Sequence, residues 1–234
     1  MLGLLAAETQ IFVDGRLDLQ ALLRAGGPIG YVIIALSVAM VALIVEHLLS
    51  IRQGSLMPRA LVEELHQKLT AGQVTEAQAA CAQQPSYIAY VISAGLKETP
   101  FGYAAVEKSM EDASTEQAAR LARKIEYLSL IGALAPMLGL MGTVWGMIQA
   151  FAEFSEKANP LPADFAPAIS AALVTTLFGL CVAVPALAAY AMFRNRIDEF
   201  VAETTLTAEQ LMLPVKRALG QRQRAKPRSP ETDA

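Results

Sequence analysis

The distribution of charge is the feature that most constrains this chain of 234 residues. Three windows of 21, 26 and 29 residues contain no Asp, Glu, Lys or Arg, although these four types make up 18% of the chain. The windows are bounded by Arg24 and Glu46, by Glu126 and Glu153, and by Asp164 and Arg194. A soluble protein of this size could not bury three uncharged helices of such length, so a membrane protein is expected.

The length of each window suits a transmembrane helix. At about 1.5 Å per residue the windows give roughly 32, 39 and 43 Å, against a hydrocarbon core of about 30 Å. The mean hydropathy of +0.38 and the 54% of hydrophobic residues agree with this interpretation. We therefore expect an all-α integral membrane protein with span one over residues 25–46, span two over 127–152 and span three over 165–193.

The remaining composition argues against several other classes of protein. A net charge of −3 gives no reason to expect nucleic-acid binding. Cys81 and Cys181 lie far apart and suggest neither a disulfide framework nor a metal site. The sequence shows no nucleophile and base pair, cofactor motif or phosphate loop, so an enzyme is not expected, and His47 and His66 are expected to be ordinary surface residues. The N-terminus lacks the basic region of a cleaved signal peptide, so span one is expected to serve as the targeting signal.

Lysine and arginine mark one side of the membrane. They are frequent in the connection between spans one and two and in the segment after span three, whereas the link between spans two and three carries only Lys157. The positive-inside rule then places the N-terminal segment, residues 1–24, and the link, residues 153–164, in the periplasm. The long loop and the C-terminus are placed in the cytoplasm, and Arg24 is the one charge that disagrees.

The cytoplasmic segments are expected to be helical. The loop covers residues 47–126, and its last part has no Gly or Pro after Gly102, so one helix should run on into span two. Span three is expected to continue as a cytoplasmic helix over residues 194–220. Residues 221–234 lack an apolar face and are expected to be disordered.

Spans two and three each carry a stripe of small residues. The stripe of span two contains Gly132, Pro136, Gly139, Gly142 and Gly146, and that of span three contains Ala168, Ala172, Gly179, Ala183 and Ala186. Pro185 is expected to kink span three. Small faces let helix backbones approach closely in lipid, where hydrophobicity does not pull helices together. Close packing and the lining of a narrow pore are both consistent with these stripes.

Polar side chains in the same two spans fall on two levels. Counted from the outer ends of the helices, Thr143 lies about 14 Å deep and Thr176 about 17 Å deep, so the two are expected to meet. Gln149 and Ser170 share a level nearer the outside. Together with Thr175, these residues are candidates for the wall of a polar path. The alternative is that each Thr hydroxyl bonds a carbonyl of its own helix three or four residues back.

Side chains that are charged or titrate near neutral pH are missing from all three windows, which contain no Asp, Glu, Lys, Arg or His. Proton relays within membranes normally depend on such groups. If the protein takes part in proton transfer, the carrier must come from another subunit or from bound water.

Two segments resemble the signature regions of a known family. They read LAPMLGLMGTVWGMIQAF in span two and APAISAALVTTLFGLCVAVPALAAY in span three. Both are similar to the proton-channel superfamily that includes the TolQ and ExbB proteins and, more distantly, MotA. The three-span layout and the length resemble the TolQ and ExbB branch, since MotA-type proteins have four spans.

The resemblance implies a role in energy conversion. Proteins of this family assemble as pentamers around two copies of a single-span partner of the ExbD or TolR type, whose transmembrane Asp carries protons. The implied protein is an inner-membrane homopentamer with spans two and three inside and span one toward the lipid bilayer. It would couple the proton motive force to TonB-type transport or envelope maintenance, in many cases through a TonB-like or TolA-like protein.

The family's threonines can be placed on this chain residue by residue. The span-two threonine falls on Thr143 and the span-three threonine on Thr176, while Pro136 and Pro185 also fall on characteristic positions. These matches imply that both threonines lie where the partner's Asp could be met.

One position departs from the family's pattern. ExbB-type proteins usually carry a Glu within an I-x-E-A-L pattern, where residues 169–173 of this chain read ISAAL. Ala171 cannot titrate, so the partner or Ser170 would have to fill the gap. The alternative function is a non-conducting membrane scaffold that anchors and stabilises an energy-transducing partner.

Overall fold

A computed structural model describes residues 12–13, 16–17, 27–51, 56–156 and 161–225 of the chain. Three of its helices are long and apolar enough to cross a membrane, within Gly27–Ser50, Tyr103–Glu156 and Asp164–Gln221. The expected three spans are therefore confirmed. The described residues are helical or in turns apart from one short strand pairing, which confirms the all-α class.

The helices and strands follow one another in a simple order. The strands β1 (Phe12–Val13) and β2 (Arg16–Leu17) pair antiparallel. The helices are α1 (Gly27–Ser50), α2 (Arg59–Thr70), α3 (Val74–Gln83), α4 (Tyr87–Lys97), a 3₁₀ turn (Thr99–Phe101), α5 (Tyr103–Glu156) and α6 (Pro162–Ala225). Spans one, two and three lie in α1, α5 and α6.

Spans two and three extend well beyond membrane thickness, as expected. Helix α5 has 54 residues and α6 has 64, and both stay helical through internal prolines, Pro136 in α5 and Pro185 in α6. The expectation that α6 ends at residue 220 is wrong, because the helix continues to Ala225. The sequence QRQRA that follows Gly220 is made of good helix formers, which explains the extension. The rest of the expected disordered tail, residues 226–234, lies outside the described residues.

Two other expected segments are only partly described. Of the N-terminal segment, only the residues of β1 and β2 are described. Of the link between spans two and three, the described part belongs to the end of α5 and to the chain from Leu161 onward, while residues 157–160 lie outside it.

The chain divides into two compact units. The span unit consists of Met1–His47 and Ile125–Met192, and the loop unit of Leu48–Lys124 and Phe193–Ala234. Each long helix, α5 and α6, contributes one segment to each unit.

The loop unit is built around a core of aliphatic side chains. Leu61, Leu65 and Leu69 recur every four residues along α2 and are at most 2% exposed, as their spacing predicts for one helix face. The same core contains Ile88 and Ile92 of α4. Burial of this kind is worth roughly 1.5–3 kcal/mol per large apolar side chain in water, so the core accounts for the folding of this unit.

Two glycines end and begin helices in the loop unit. Gly72 follows α2 with a φ of 73°, and Gly102 precedes α5 with a φ of 100°. Side chains are disfavoured in this part of backbone space, so glycine is suited to both turns.

A buried chain of hydroxyl groups joins three helices of the loop unit. The Tyr87 hydroxyl on α4 donates to the Ser114 carbonyl on α5 at 2.8 Å and lies 3.0 Å from the Ser114 hydroxyl. The Ser114 hydroxyl lies 3.4 Å from that of Thr205 on α6. Burial raises the pKa of Tyr87, so its hydroxyl stays neutral and available as a donor.

The surface of the loop unit carries ion pairs. The Tyr90 hydroxyl donates to Glu116 at 2.9 Å, and Arg120 donates to the same carboxylate at 2.7 Å. The hydrogen bond from Tyr90, followed by that from Arg120, lowers the pKa of Glu116. All three side chains are exposed, so this cluster contributes little to stability.

Candidate functional site

The small faces of spans two and three lie against each other in the span unit. An added Cβ at Gly179 would lie 2.5 Å from the Ala135 carbonyl oxygen, and one at Gly139 would lie 3.0 Å from the Cα of Thr176. An added Cβ at Gly146 would lie 2.7 Å from the Cβ of Ala172. The stripes thus form a helix interface in which backbones are in near contact.

Gly132 and Gly142 complete the same interface. A Cβ at Gly132 would meet the side chain of Leu187 at 2.6 Å, and a Cβ at Gly142 would overlap the hydroxyl of Thr175. Pro136 lies half-buried on α5, whereas Pro185 is exposed on α6.

The hydroxyl groups of span three meet the backbone of span two at one glycine. The Thr176 hydroxyl donates to the Gly139 carbonyl at 3.1 Å, across the interface. The Thr175 hydroxyl donates to Ala172 of its own helix at 2.7 Å and lies 3.5 Å from the Gly139 carbonyl. Thr175 is only 3% exposed. We refer to Thr175, Thr176 and the Gly139 carbonyl as the hydroxyl cluster.

Thr143 lies apart from the hydroxyl cluster. Its hydroxyl donates to the Leu140 carbonyl of its own helix at 2.6 Å. Gly142, the residue before it, faces Thr175, whereas Thr176 faces Gly139. The expectation that Thr143 and Thr176 share a level is therefore wrong by about one helical turn, ~5 Å.

Two of the three threonine hydroxyls donate to a carbonyl of their own helix. Thr143 and Thr175 each bond a carbonyl three residues back, as the alternative interpretation has it, while Thr176 bonds the facing helix. Gly139 has no side chain, and this is what allows the backbone of α6 to come close enough for that bond.

The outer pair of polar residues is less closely matched than expected. Gly146 faces Ala168 and Ala172, so Ser170, which is half-buried, is level with Gly146 and not with Gln149. Gln149 is exposed on the helix surface.

A half-open cavity of about 390 Å³ lies beside the hydroxyl cluster within the span unit. It is lined by Gly27, Pro28, Ile29, Gly142, Trp145, Gly146, Gln149, Ala171, Ala172 and Thr175. We call it the span-one cavity, because the first turn of α1 forms one of its walls. It brings together two candidate residues, Gln149 and Thr175, with Ala171, the position that departs from the family's pattern.

Sequence reasoning missed the contribution of span one to this site. The walls that Gly27–Ile29 and Trp145 supply depend on how α1 packs against the other two spans, for which the sequence of α1 gives no signal. His47 was also misjudged, since it is 3% exposed and not a surface residue, whereas His66 is exposed as expected.

The electrostatics of the site are those of neutral dipoles. Within the described spans, between the bounding charges of each window, hydroxyl, amide and indole groups are the polar side chains. Among the described residues no group of His, Cys, Asp and Glu is arranged to hold a metal ion. Such a site can orient a proton or a water molecule but has no group of its own that titrates near neutral pH.

Comparison with known proteins places the chain in a family. Residues 83–205, more than half of the chain, match the MotA/TolQ/ExbB proton channel family. The matched region contains the hydroxyl cluster and all of spans two and three.

Curated relatives agree with this match. The biopolymer transport protein ExbB of Salmonella typhimurium is 38% identical over 93 residues, which are 40% of this chain and 38% of the relative. The Tol-Pal system protein TolQ of Pseudomonas aeruginosa is 30% identical over 105 residues, 45% of this chain and 46% of the relative. An ExbB homolog of Methanothermobacter thermautotrophicus is 29% identical over 184 residues, 78% of this chain and 65% of the relative.

The chain thus matches between about two fifths and two thirds of the length of these relatives. The family profile, the names of the relatives and the three apolar helices all agree, and this multi-pass membrane protein belongs to the MotA/TolQ/ExbB proton channel family, on its ExbB and TolQ branch.

Proposed function

We propose that the protein is the proton-channel and motor subunit of an inner-membrane energy-transducing complex. In this proposal a homopentamer surrounds a single-span partner of the ExbD or TolR type, and proton flow drives TonB-type transport or envelope maintenance. The N-terminus lies in the periplasm, and the loop unit and C-terminus lie in the cytoplasm, as the distribution of Lys and Arg predicts.

The hydroxyl cluster is the observation that carries the proposal. Two hydroxyls and a carbonyl converge at Gly139, in a part of the chain with no ionisable side chain. Hydroxyls can accept and donate hydrogen bonds at once, so they can position a carboxylic acid or a water, but they cannot hold a proton themselves. A carboxylate on another chain completes the path.

The energy available is sufficient for mechanical work. One proton that crosses a potential of 100 mV releases about 2.3 kcal/mol, so a few protons match the scale of a conformational step. Helices α5 and α6 each contribute residues to the span unit and to the loop unit.

A non-conducting scaffold is the second candidate, and one observation favours it. The hydroxyls of Thr143, Thr175 and Thr176 all donate to carbonyls of this chain. A closed interface of this kind would anchor a partner without offering it a proton path.

Variants of Thr176 separate the two functions. Thr176→Val keeps the shape of the side chain but removes the hydroxyl, and Thr176→Ser keeps the hydroxyl as the matched control. We expect Thr176→Val to reduce the rate of transport driven by the proton motive force by roughly tenfold or more. A tenfold loss corresponds to about 1.4 kcal/mol, which is the scale of one hydrogen bond. Thr176→Ser should stay near the wild-type level.

Co-purification of the partner shows whether the variants still assemble. If Thr176→Val and Thr143→Val, alone and together, keep both the partner and full energised function, the proton path does not use these hydroxyls and the scaffold is favoured. Loss of energised function with the partner retained supports the proton-channel subunit.

A further inference from the structure

The span-one cavity differs from the rest of the span unit in the groups that line it. Large side chains that are exposed elsewhere on the spans, such as Val38, Leu140 and Leu173, are apolar. Here one space is lined by Gln149, Trp145 and Thr175, whose side chains carry an amide, an indole and a hydroxyl. We propose that this cavity holds water inside the membrane and delivers it to the hydroxyl of Thr175.

The lining groups favour water over a lipid chain. The amide of Gln149 offers two N–H donors and one acceptor, and the indole of Trp145 offers one donor. Ile29, which also lines the space, lies in the first turn of α1, where backbone N–H groups have no partner within the helix. Hydrocarbon satisfies none of these groups, and each that is left unpaired there costs free energy.

Thr175 supplies the inner end of this polar surface. Its hydroxyl proton is directed to the Ala172 carbonyl, so its oxygen lone pairs are the part that can accept from a water in the cavity. A water needs two to four such partners to be held in place, and the side chains of Gln149, Trp145 and Thr175 together carry that many donors and acceptors.

The size of the cavity agrees with this occupant. One water takes about 30 Å³ of liquid volume, so a space of about 390 Å³ has room for several molecules. Ala171 lines the space with a single methyl group, and a larger side chain at this position would fill part of it.

The presence of water does not depend on the proposed function, but its role does. If the subunit conducts protons, the cavity brings water from the side on which span one begins to the hydroxyl cluster. It would then take the place of a side-chain carboxylate at position 171. This role rests on the proposed function.

Thiol labelling tests whether the cavity contains water. Ala171→Cys is placed in a Cys181→Ala background, because Cys181 is exposed, and Cys81 is retained because it is buried. The probe is a charged, membrane-impermeant methanethiosulfonate, applied to sealed vesicles without an ion gradient. Val32→Cys is the matched control, since Val32 is exposed on span one about one turn beyond Ile29.

We expect Ala171→Cys to react on the order of tenfold faster than Val32→Cys, because the reactive thiolate forms only where water solvates it. Equal, slow rates would overturn the proposal and would show that lipid or a neighbouring subunit fills the cavity.

A second pair of variants controls for misfolding and for a reagent that reaches the cysteine without passing through the cavity. Gln149→Cys should also react rapidly, and the rate should fall when Ala171→Leu is added to fill the space. If Ala171→Leu leaves the rate unchanged, the reagent does not pass through this cavity and the proposal fails. Energised transport is measured separately on the Thr176 variants, so the failure of either proposal can be told from failure of the other.

Discussion

The two units of this protein are packed in opposite ways. In the loop unit large aliphatic side chains such as Leu65 and Ile92 are fully buried, while ion pairs such as Arg120 with Glu116 lie on the surface. In the span unit glycine and alanine lie at the interface of spans two and three, and large side chains such as Leu140 and Val144 are exposed. Water drives the first arrangement, and lipid, which is as apolar as leucine, permits the second.

Buried residues at the two ends of a single helix are stabilised by different interactions. Helix α5 buries Val106 and Met110 in the core of the loop unit and, further on, buries Gly139 and Gly142 in the interface of the span unit. The same helix is stabilised by buried apolar area at one end and, at the other, by backbone contact and the hydrogen bonds that Thr175 and Thr176 donate to the Gly139 carbonyl.

Truncation of a buried leucine should lower the free energy of unfolding more than the other changes, and it should do so only in the loop unit. Leu65→Ala removes a side chain that is 0% exposed, and the expected cost is about 2–5 kcal/mol from lost burial and the cavity left behind. Leu140→Ala, at a position 63% exposed on span two, should cost less than about 1 kcal/mol. The thermal unfolding midpoint in detergent, followed by circular dichroism, measures both, and equal costs would contradict the comparison.

An added methyl group should have the next largest effect, now in the span unit. Gly179→Ala puts a Cβ against the Ala135 carbonyl, which cannot move aside, so the expected cost is about 1–3 kcal/mol from overpacking. Gly30→Ala is the control, because nothing lies within 4 Å of its added Cβ and alanine favours a helix. The same unfolding midpoints test this pair, and a neutral Gly179→Ala would show that spans two and three are not in backbone contact.

The smallest effect concerns the cysteine of the loop unit. Burial raises the pKa of the Cys81 thiol to about 11, so in the folded protein it stays neutral at pH 8 and should resist maleimide until the unit unfolds. Because the pKa is raised in the folded protein, the neutral Cys81 thiol makes its full contribution to the free energy of unfolding below the ordinary pKa of 9.0. That contribution declines as the pH rises from 9.0 toward 11. A Cys181→Ala protein that is labelled rapidly at pH 8 while folded would contradict the burial of Cys81.

Much of the fold could be predicted because the membrane imposes simple rules. A charge inside a bilayer is costly, so charge-free windows predict the spans directly. The absence of Gly and Pro between Gly102 and Tyr127 predicts that the last helix of the loop runs on into span two. The stripes of small residues also predicted a close interface, which the contacts of Gly139 and Gly179 show.

The register of that interface could not be obtained in the same way. Depth was counted from the nearest charges, but Glu153 and Asp164 need not lie at equal depth, so Thr143 was placed one turn from its true level. The burial of His47 and the span-one cavity depend on how α1 packs against distant parts of the chain, and no local pattern encodes that packing.

Proton flux tests the central claim most directly, namely that this subunit forms a path but carries no proton. The purified protein is reconstituted in vesicles alone, with a single-span partner of the ExbD or TolR type, and with the same partner after its transmembrane Asp is changed to Asn. Flux under an applied potential should appear only with the intact partner. Equal flux through the protein alone would contradict the claim, because this chain would then conduct protons without a carboxylate from another subunit.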